Sequence, residues 1–346
     1  MDCLLITYLS ETGTAEDVAQ TLWMEAKLRN VPCRVTSFED YEVEKLATEK
    51  CAVFIVATSG QGEIPTGSRS NWKQLCRKSI PHDFLSVLKF AVLALGDSSY
   101  QKFNFAGKKV FRRLCQLGAL PLFDIGLADD QHELGIDAVL IPFRERLFEV
   151  FAKERLFQNL QLEIDDKQLL PPRFMMTYER EVGNCRISTR AENAELQFER
   201  NSYEKVRVVE NRRLTASDHF QDTRLLSLSP LEGQKRISYE PGDVLMLQPC
   251  NLSETVDLAV ESLAYPSKLL DSPFTLIASD SNITLPPKWL VPSPTTLRYC
   301  LNRFFDLQGI PRRSFFKKLA CISDDRMEKE KLEELSSTAG LVLLFL

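Results

Sequence analysis

Two short runs, Cys51–Ala57 and Phe90–Gly96, are apolar almost throughout. Strand side chains alternate between two faces, so a run is continuously apolar only where both faces are covered, as in a central parallel strand with helices above and below. The surrounding pattern agrees with this. Cys3–Leu9, Cys33–Phe38 and Leu122–Gly126 are further strand candidates. Between Thr14 and Asn30, Ala15, Val18, Ala19, Leu22 and Ala26 recur at helical spacing, with Glu16, Asp17 and Glu25 elsewhere on the wheel. Up to about residue 152 the expected fold is α/β, a doubly wound parallel sheet.

At 346 residues the chain has room for two domains. Residues 153–201 are polar and charged around Pro171-Pro172 and read as a linker. Residues 202–346 mix β and α. Val206–Val209, Leu225–Leu228 and Val244–Leu247, broken by Pro230, Gly233 and Pro241-Gly242, read as an antiparallel sheet or barrel. Leu297, Leu301, Phe304 and Phe305 have helical spacing, as does Glu328–Ser336. The final run, Leu341–Leu346, is entirely apolar and is expected to leave apolar surface on an incomplete sheet.

A hydrophobic fraction of 44% with 26% charged residues describes a globular chain, neither disordered nor embedded in a membrane. Met1–Ile6 lacks a basic region, and the apolar run is broken at Thr7 and Tyr8, so it reads as a strand rather than a targeting peptide. Nine cysteines without a C-x-x-C pair point to reduced thiols and a cytoplasmic location. Three scattered histidines, His82, His132 and His219, give no metal site. A net charge of −5 argues against a general nucleic-acid binder.

Three loops carry the chemical signal. Ser10-Glu11-Thr12-Gly13-Thr14-Ala15 lies between the first strand and first helix, where hydroxyls, free backbone N–H groups and the helix dipole suit a phosphate. The same residue types also serve as plain helix caps. Thr58-Ser59-Gly60-Gln61-Gly62-Glu63 follows the third strand, and its glycines permit positive φ or close approach to a flat ring, or simply a tight turn. Leu95-Gly96-Asp97-Ser98-Ser99-Tyr100-Gln101-Lys102-Phe103-Asn104 follows the fourth strand and offers an aromatic face. All three fall at carboxyl ends of strands, where open α/β sheets gather their ligands.

These loops, with Ala57 before the second and Gly126-Leu127-Ala128-Asp129-Asp130-Gln131 further on, resemble the FMN domain of NADPH-dependent diflavin reductases, in particular the type serving cytosolic iron–sulfur assembly. The resemblance implies a flavodoxin-like fold. By it, Ser10, Glu11, Thr12, Gly13, Thr14 and Ala15 hold the FMN phosphate. Ala57, Thr58, Ser59 and Gly60 line the flavin ring together with Leu95, Gly96, Asp97, Ser98, Ser99, Tyr100, Gln101, Lys102, Phe103 and Asn104. Tyr100 is the expected stacking aromatic, and Asp130 matches the family's acidic residue near the flavin. Two positions depart from the pattern. Ser59 stands where cytochrome reductases of this class have a second stacking Tyr, and Ile64-Pro65-Thr66-Gly67 replaces the usual Pro-Pro-Asp-Asn.

More weakly, Tyr239-Glu240-Pro241-Gly242-Asp243 resembles the turn that opens the FAD-binding barrel of the ferredoxin-reductase type, and the helical stretch from Pro294 resembles its connecting insertion. The family's further FAD segment and NADPH domain have no counterpart here, so the second region is expected to be an incomplete FAD-binding domain. The resemblance implies electron flow from NADPH through FAD and FMN to an anamorsin-like iron–sulfur acceptor. A truncated form that binds FMN or its partner without turnover is the alternative. Glu39, Asp40, Glu42, Glu44, Asp129, Asp130, Glu133 and Asp137 form a candidate acidic rim for steering electron partners, or an ordinary solvated face.

Overall fold

A computed structural model describes residues 3–164, 169, 172–178, 206–233, 238–243, 245, 247–279, 283, 285–286, 288, 290–337 and 340. Leu341–Leu346 of the apolar tail lie outside the described residues, as do Val244 and Met246 of the expected third strand in the second region. The chain divides into two units. One comprises Met1–Met175, Ala278–Leu285 and Ile310–Leu346, the other Met176–Ile277 and Pro286–Gly309.

The first unit is built on a parallel sheet in the order β2-β1-β3-β4-β5, with β6 also paired to β4. The strands are β1 (Leu4–Leu9), β2 (Cys33–Ser37), β3 (Cys51–Ala57), β4 (Lys89–Gly96), β5 (Leu120–Pro121) and β6 (Gly126–Asp129). Side-chain alternation sorts the core. Leu4, Ile6, Val53, Ile55, Ala91 and Leu93 point to one face, under α1 (Thr14–Leu28) and α4 (Asp137–Lys153). Leu5, Ala52, Phe54, Val56, Phe90 and Val92 point to the other, packed with Leu75 of α2 (Arg69–Leu75) and Val110 and Leu114 of α3 (Phe105–Gln116). Both faces are thus covered, which is why β3 and β4 carry no polar side chain between Cys51 and Ala57 or between Phe90 and Leu95.

The first helix ends two residues before its expected limit. Asn30 takes the left-handed conformation (φ 57°), and the N–H of Val31 returns to the carbonyl of Ala26 at 2.9 Å, closing the last turn. The expected strand Leu122–Gly126 is displaced. Pairing occurs on either side of it, in β5 and β6, while residues 122–125 bridge the gap. The N–H of Leu122 still donates to the carbonyl of Phe90 at 2.8 Å, and beyond it Phe123 turns inward against Phe143, ring centroids 5.2 Å apart.

Part of the segment expected to be a linker packs against this unit. Phe157 stacks edge-on to Phe151 at 5.1 Å, and the N–H of Gln161 donates to the carbonyl of Arg29 at 2.9 Å. Arg173 lies 5.2 Å from the Trp23 ring and donates to Gln20 at 2.5 Å. Of the thiols, Cys33 and Cys51 are buried in the sheet, whereas Cys76 after α2 and Cys115 in the last turn of α3 are exposed.

A strand pair joins β7 (Phe174–Tyr178) to β10 (Phe274–Ala278). The second unit contains the antiparallel pair β8 (Val206–Arg213) and β9 (Arg224–Pro230), longer than the sequence runs that mark them, and the helices α5 (Ser253–Leu263), α6 (Ser267–Asp271) and α7 (Leu297–Arg303). Val256, Leu270 and Leu301 make one small core, and Phe274, Val291 and Cys300 another. The predicted turn at Pro241-Gly242 is present: Gly242 has φ 99°, and the N–H of Glu240 donates to the Asp243 carboxylate at 2.8 Å. After Gly309, the chain forms α8 (Arg313–Ile322) and α9 (Arg326–Ser336) of the first unit.

Candidate functional site

Strands β1, β3 and β4 are adjacent and parallel, so the loops leaving their carboxyl ends emerge side by side. The first is shaped by Gly13, whose φ of 90° only glycine adopts without strain. The Ser10 hydroxyl accepts the N–H of Gly13 at 2.9 Å and holds the turn. Thr14 then opens α1, and the N–H groups of its first turn have no intrahelical acceptor. The Glu11 carboxylate is drawn off to the N–H of Thr66 at 2.7 Å, so it does not compete for those donors.

A residue that no sequence pattern connects with this loop lies beside it. Arg312 Nη2 donates to the carbonyl of Thr12 at 2.9 Å, and Nη1 is 3.4 Å from the Thr14 hydroxyl.

The second loop is closed by two reciprocal hydrogen bonds, Ser59 N–H to Glu63 carbonyl (3.0 Å) and the reverse (2.8 Å). Gly60 and Gly62 both take positive φ, 46° and 80°. Beyond Gly60 is open space, whereas a methyl at Gly62 would fall 2.7 Å from the Cβ of Lys102, which shows how closely the second loop approaches the third. Lys109 fixes the same corner by donating to the Gly62 carbonyl at 2.9 Å. The Thr58 N–H donates to Leu95 O at 2.9 Å, while its buried hydroxyl oxygen has no hydrogen-bond partner within the described protein.

In the third loop two carboxylates organise the backbone. Asp97 accepts the N–H of Ser99 (2.8 Å) and the Gln131 side-chain amide (3.1 Å). Asp129 accepts the N–H groups of Ser98 (2.9 Å) and Gln131 (3.0 Å). The bonds from Ser99 and Ser98 hold these two carboxyls below the usual carboxylate range. Asn104, fully buried with φ 56°, anchors the far end by donating to the carbonyl of Ala128 at 2.9 Å. Gly96 is required there, because a methyl would meet Asn104 Oδ1 at 2.5 Å. Tyr100 stands at the crest, 61% exposed, with Ser98, Ser99, Gln101 and Lys102 around it. Phe103 lies beneath the Lys108 ammonium at 5.4 Å.

Asp130 extends the β4–β6 ladder through its N–H to Gly96 O at 2.9 Å and leaves its side chain exposed. It is the neighbouring Asp129 whose carboxylate ties the loops, a choice that two consecutive aspartates in the sequence leave open. The rim of acidic residues is also thinner than the sequence implies, since Asp137 is buried and paired with Arg313 at 2.6 Å. Among the described residues no cluster of His, Cys, Asp and Glu is arranged to hold a metal, and no helix is long and apolar enough to cross a membrane.

This geometry agrees with two domain matches. Residues 6–140 match the flavodoxin family, and residues 197–344 match the FAD binding domain family. Two flavoprotein domain families in series define the diflavin class. The chain is 39% identical over 346 residues to the NADPH-dependent diflavin oxidoreductase 1 of Danio rerio, 38% over 347 to that of Xenopus laevis and 33% over 340 to that of Dictyostelium discoideum, in each case over 97% of its own length. It belongs to the diflavin oxidoreductase family. It spans 56%, 56% and 52% of the length of those relatives. Among solved structures, oxidised flavodoxin 1 of Bacillus cereus is 18% identical with a TM-score of 0.37, covering 43% of this chain and 98% of the flavodoxin.

Proposed function

We propose that the flavodoxin-like unit binds FMN in the three-loop site and serves as the electron-output module of a relay that runs from NADPH through FAD. The observation that carries this reading is the convergence, at the carboxyl ends of three adjacent strands, of an anion cradle, a glycine turn and an exposed aromatic. The residues fit the group. Glu11 is diverted from the cradle, the space beyond Gly60 is open, and the unpartnered Thr58 hydroxyl is available to a polar edge of a bound heterocycle.

When bound, FMN supplies the one-electron chemistry itself, so no acid, base or nucleophile of the chain is required. The first-turn N–H groups and the Thr12 and Thr14 hydroxyls bind the phosphate. Tyr100 would supply the aromatic face for the ring, and Ser59, being small, would supply no second one. Asp97 and Asp129, ionised at neutral pH, hold the third loop in shape. The acceptor fitting this reading is an iron–sulfur assembly protein of the anamorsin type in the cytoplasm, approached from the exposed loop edge.

The test is the absorption spectrum of the purified chain, with its released flavin identified. FMN is expected, and a chain that takes up no FMN when titrated with it would sink the assignment. Replacing Tyr100 by alanine should weaken FMN binding by about 1–3 kcal/mol, chiefly through lost aromatic burial. A change below a few tenths of that would show that Tyr100 does not stack.

A further inference from the structure

The loop Ser10–Ala15 contains no Lys or Arg, and Glu16 and Asp17 come directly after it, so a dianionic phosphate there would meet a locally acidic helix start. The cation comes from elsewhere in the chain. We propose that Arg312 is a phosphate-binding residue of the flavin site, supplied by the segment after Gly309, and that flavin loading and docking of that segment reinforce one another. The inference rests on the FMN reading above.

Three consecutive residues place the guanidinium. Arg313 pairs with the buried Asp137 of α4 at 2.6 Å, and the Ser314 hydroxyl donates to Asp17 of α1 at 2.5 Å. With both successors fixed, Arg312 is directed at the first loop, where Nη2 lies 3.1 Å from the position a Cβ on Gly13 would take. Its partners there, the Thr12 carbonyl and Thr14 hydroxyl, are neutral, and no carboxylate pairs with it among the described residues. A guanidinium has five N–H donors in a fixed fork suited to phosphate, and two contacts leave most of them free. The uncompensated charge beside the cradle thus has the ligand's phosphate as its natural counter-ion.

A ligand held by both the loop and Arg312 binds the docked arrangement more tightly, so it must favour docking by the same factor. The strength is modest, because Arg312 is exposed and the pair is screened by solvent.

The test titrates the flavin-free 346-residue chain with FMN and, separately, with riboflavin, which lacks the phosphate. Arg312→Gln is expected to weaken FMN binding roughly 3- to 10-fold and leave riboflavin unchanged, Arg312→Lys to retain part of the affinity, and Arg312→Glu to lose more than the glutamine variant. The salt dependence of FMN affinity should flatten in Arg312→Gln. Hydrogen exchange in Arg313–Ile322 should slow on FMN addition in the wild type and less so in the variant. Arg326→Gln, which removes an exposed cation paired with Glu330, is the control and should change nothing. Unchanged or tighter FMN binding by Arg312→Gln would overturn the inference while leaving the FMN assignment intact. A wild-type chain that binds neither flavin would overturn both.

Discussion

Replacing Thr12 with glutamate should abolish FMN binding while leaving the fold unchanged. Thr12 is exposed at the turn preceding α1, so a longer side chain meets no packed atoms. The new carboxylate would lie at the cradle with the Arg312 guanidinium beside it, in competition with the ligand's phosphate for the same donors. Two unit charges at about 4 Å interact by about 4 kcal/mol at an effective dielectric near 20, and the phosphate carries nearly two. Even with generous allowance for solvent screening, about 3 kcal/mol or more remains, a loss of ~100-fold or greater. Fluorescence titration measures it. Riboflavin should bind the variant as it binds the wild type, and FMN affinity within about threefold of wild type would remove the phosphate from this loop.

The largest effect on stability is expected at Gly107 in α3. Alanine in a helix is favoured over glycine by about 1 kcal/mol, so propensity alone makes Gly107→Ala stabilising. Packing opposes it. A methyl there would lie 2.3 Å from the Cβ of Ala94 and 3.1 Å from its Cα, and Ala94 is a fully buried residue of β4 with strands on both sides. The strand has no room to retreat, so α3 must lift from the sheet, and overpacking by about 1–3 kcal/mol opposes the propensity gain. A net loss of about 1 kcal/mol, the middle of that range once propensity is subtracted, corresponds to a fall in Tm of roughly 2–4 °C for a unit of this size. An unchanged or higher Tm would show that the helix moves freely over the strand.

The parallel sheet was legible because β3 and β4 declare their burial in an unbroken apolar composition. The three loops were legible because each is a contiguous segment between a recognisable strand and the next element of the chain. What escaped depended on tertiary partners. The split of the last strand into β5 and β6 stems from Phe123 packing on Phe143, a contact with a helix that begins more than ten residues later. Glu11 reads as a member of the phosphate loop, yet its carboxylate is claimed by Thr66. Asp129 and Asp130 are indistinguishable in composition, and only their position at the end of β6 decides which one folds back onto Ser98. Arg312 is separated from Thr12 by 300 positions, and no periodicity or motif links them.

The distribution of thiols gives the first unit a built-in reporter. Helix α3 starts beside the third loop and runs back along the sheet, so Cys115 in its last turn lies toward the end of the sheet opposite the candidate flavin loops. Cys76, just past α2, is likewise open to solvent, while burial pushes the Cys51 thiol up to about 12. A maleimide dye therefore has accessible attachment points in the folded unit, and Cys33 and Cys51 become available only when the sheet opens. The same chemistry can place a fluorophore for energy transfer to a bound flavin and, at the buried pair, time the opening of the sheet itself.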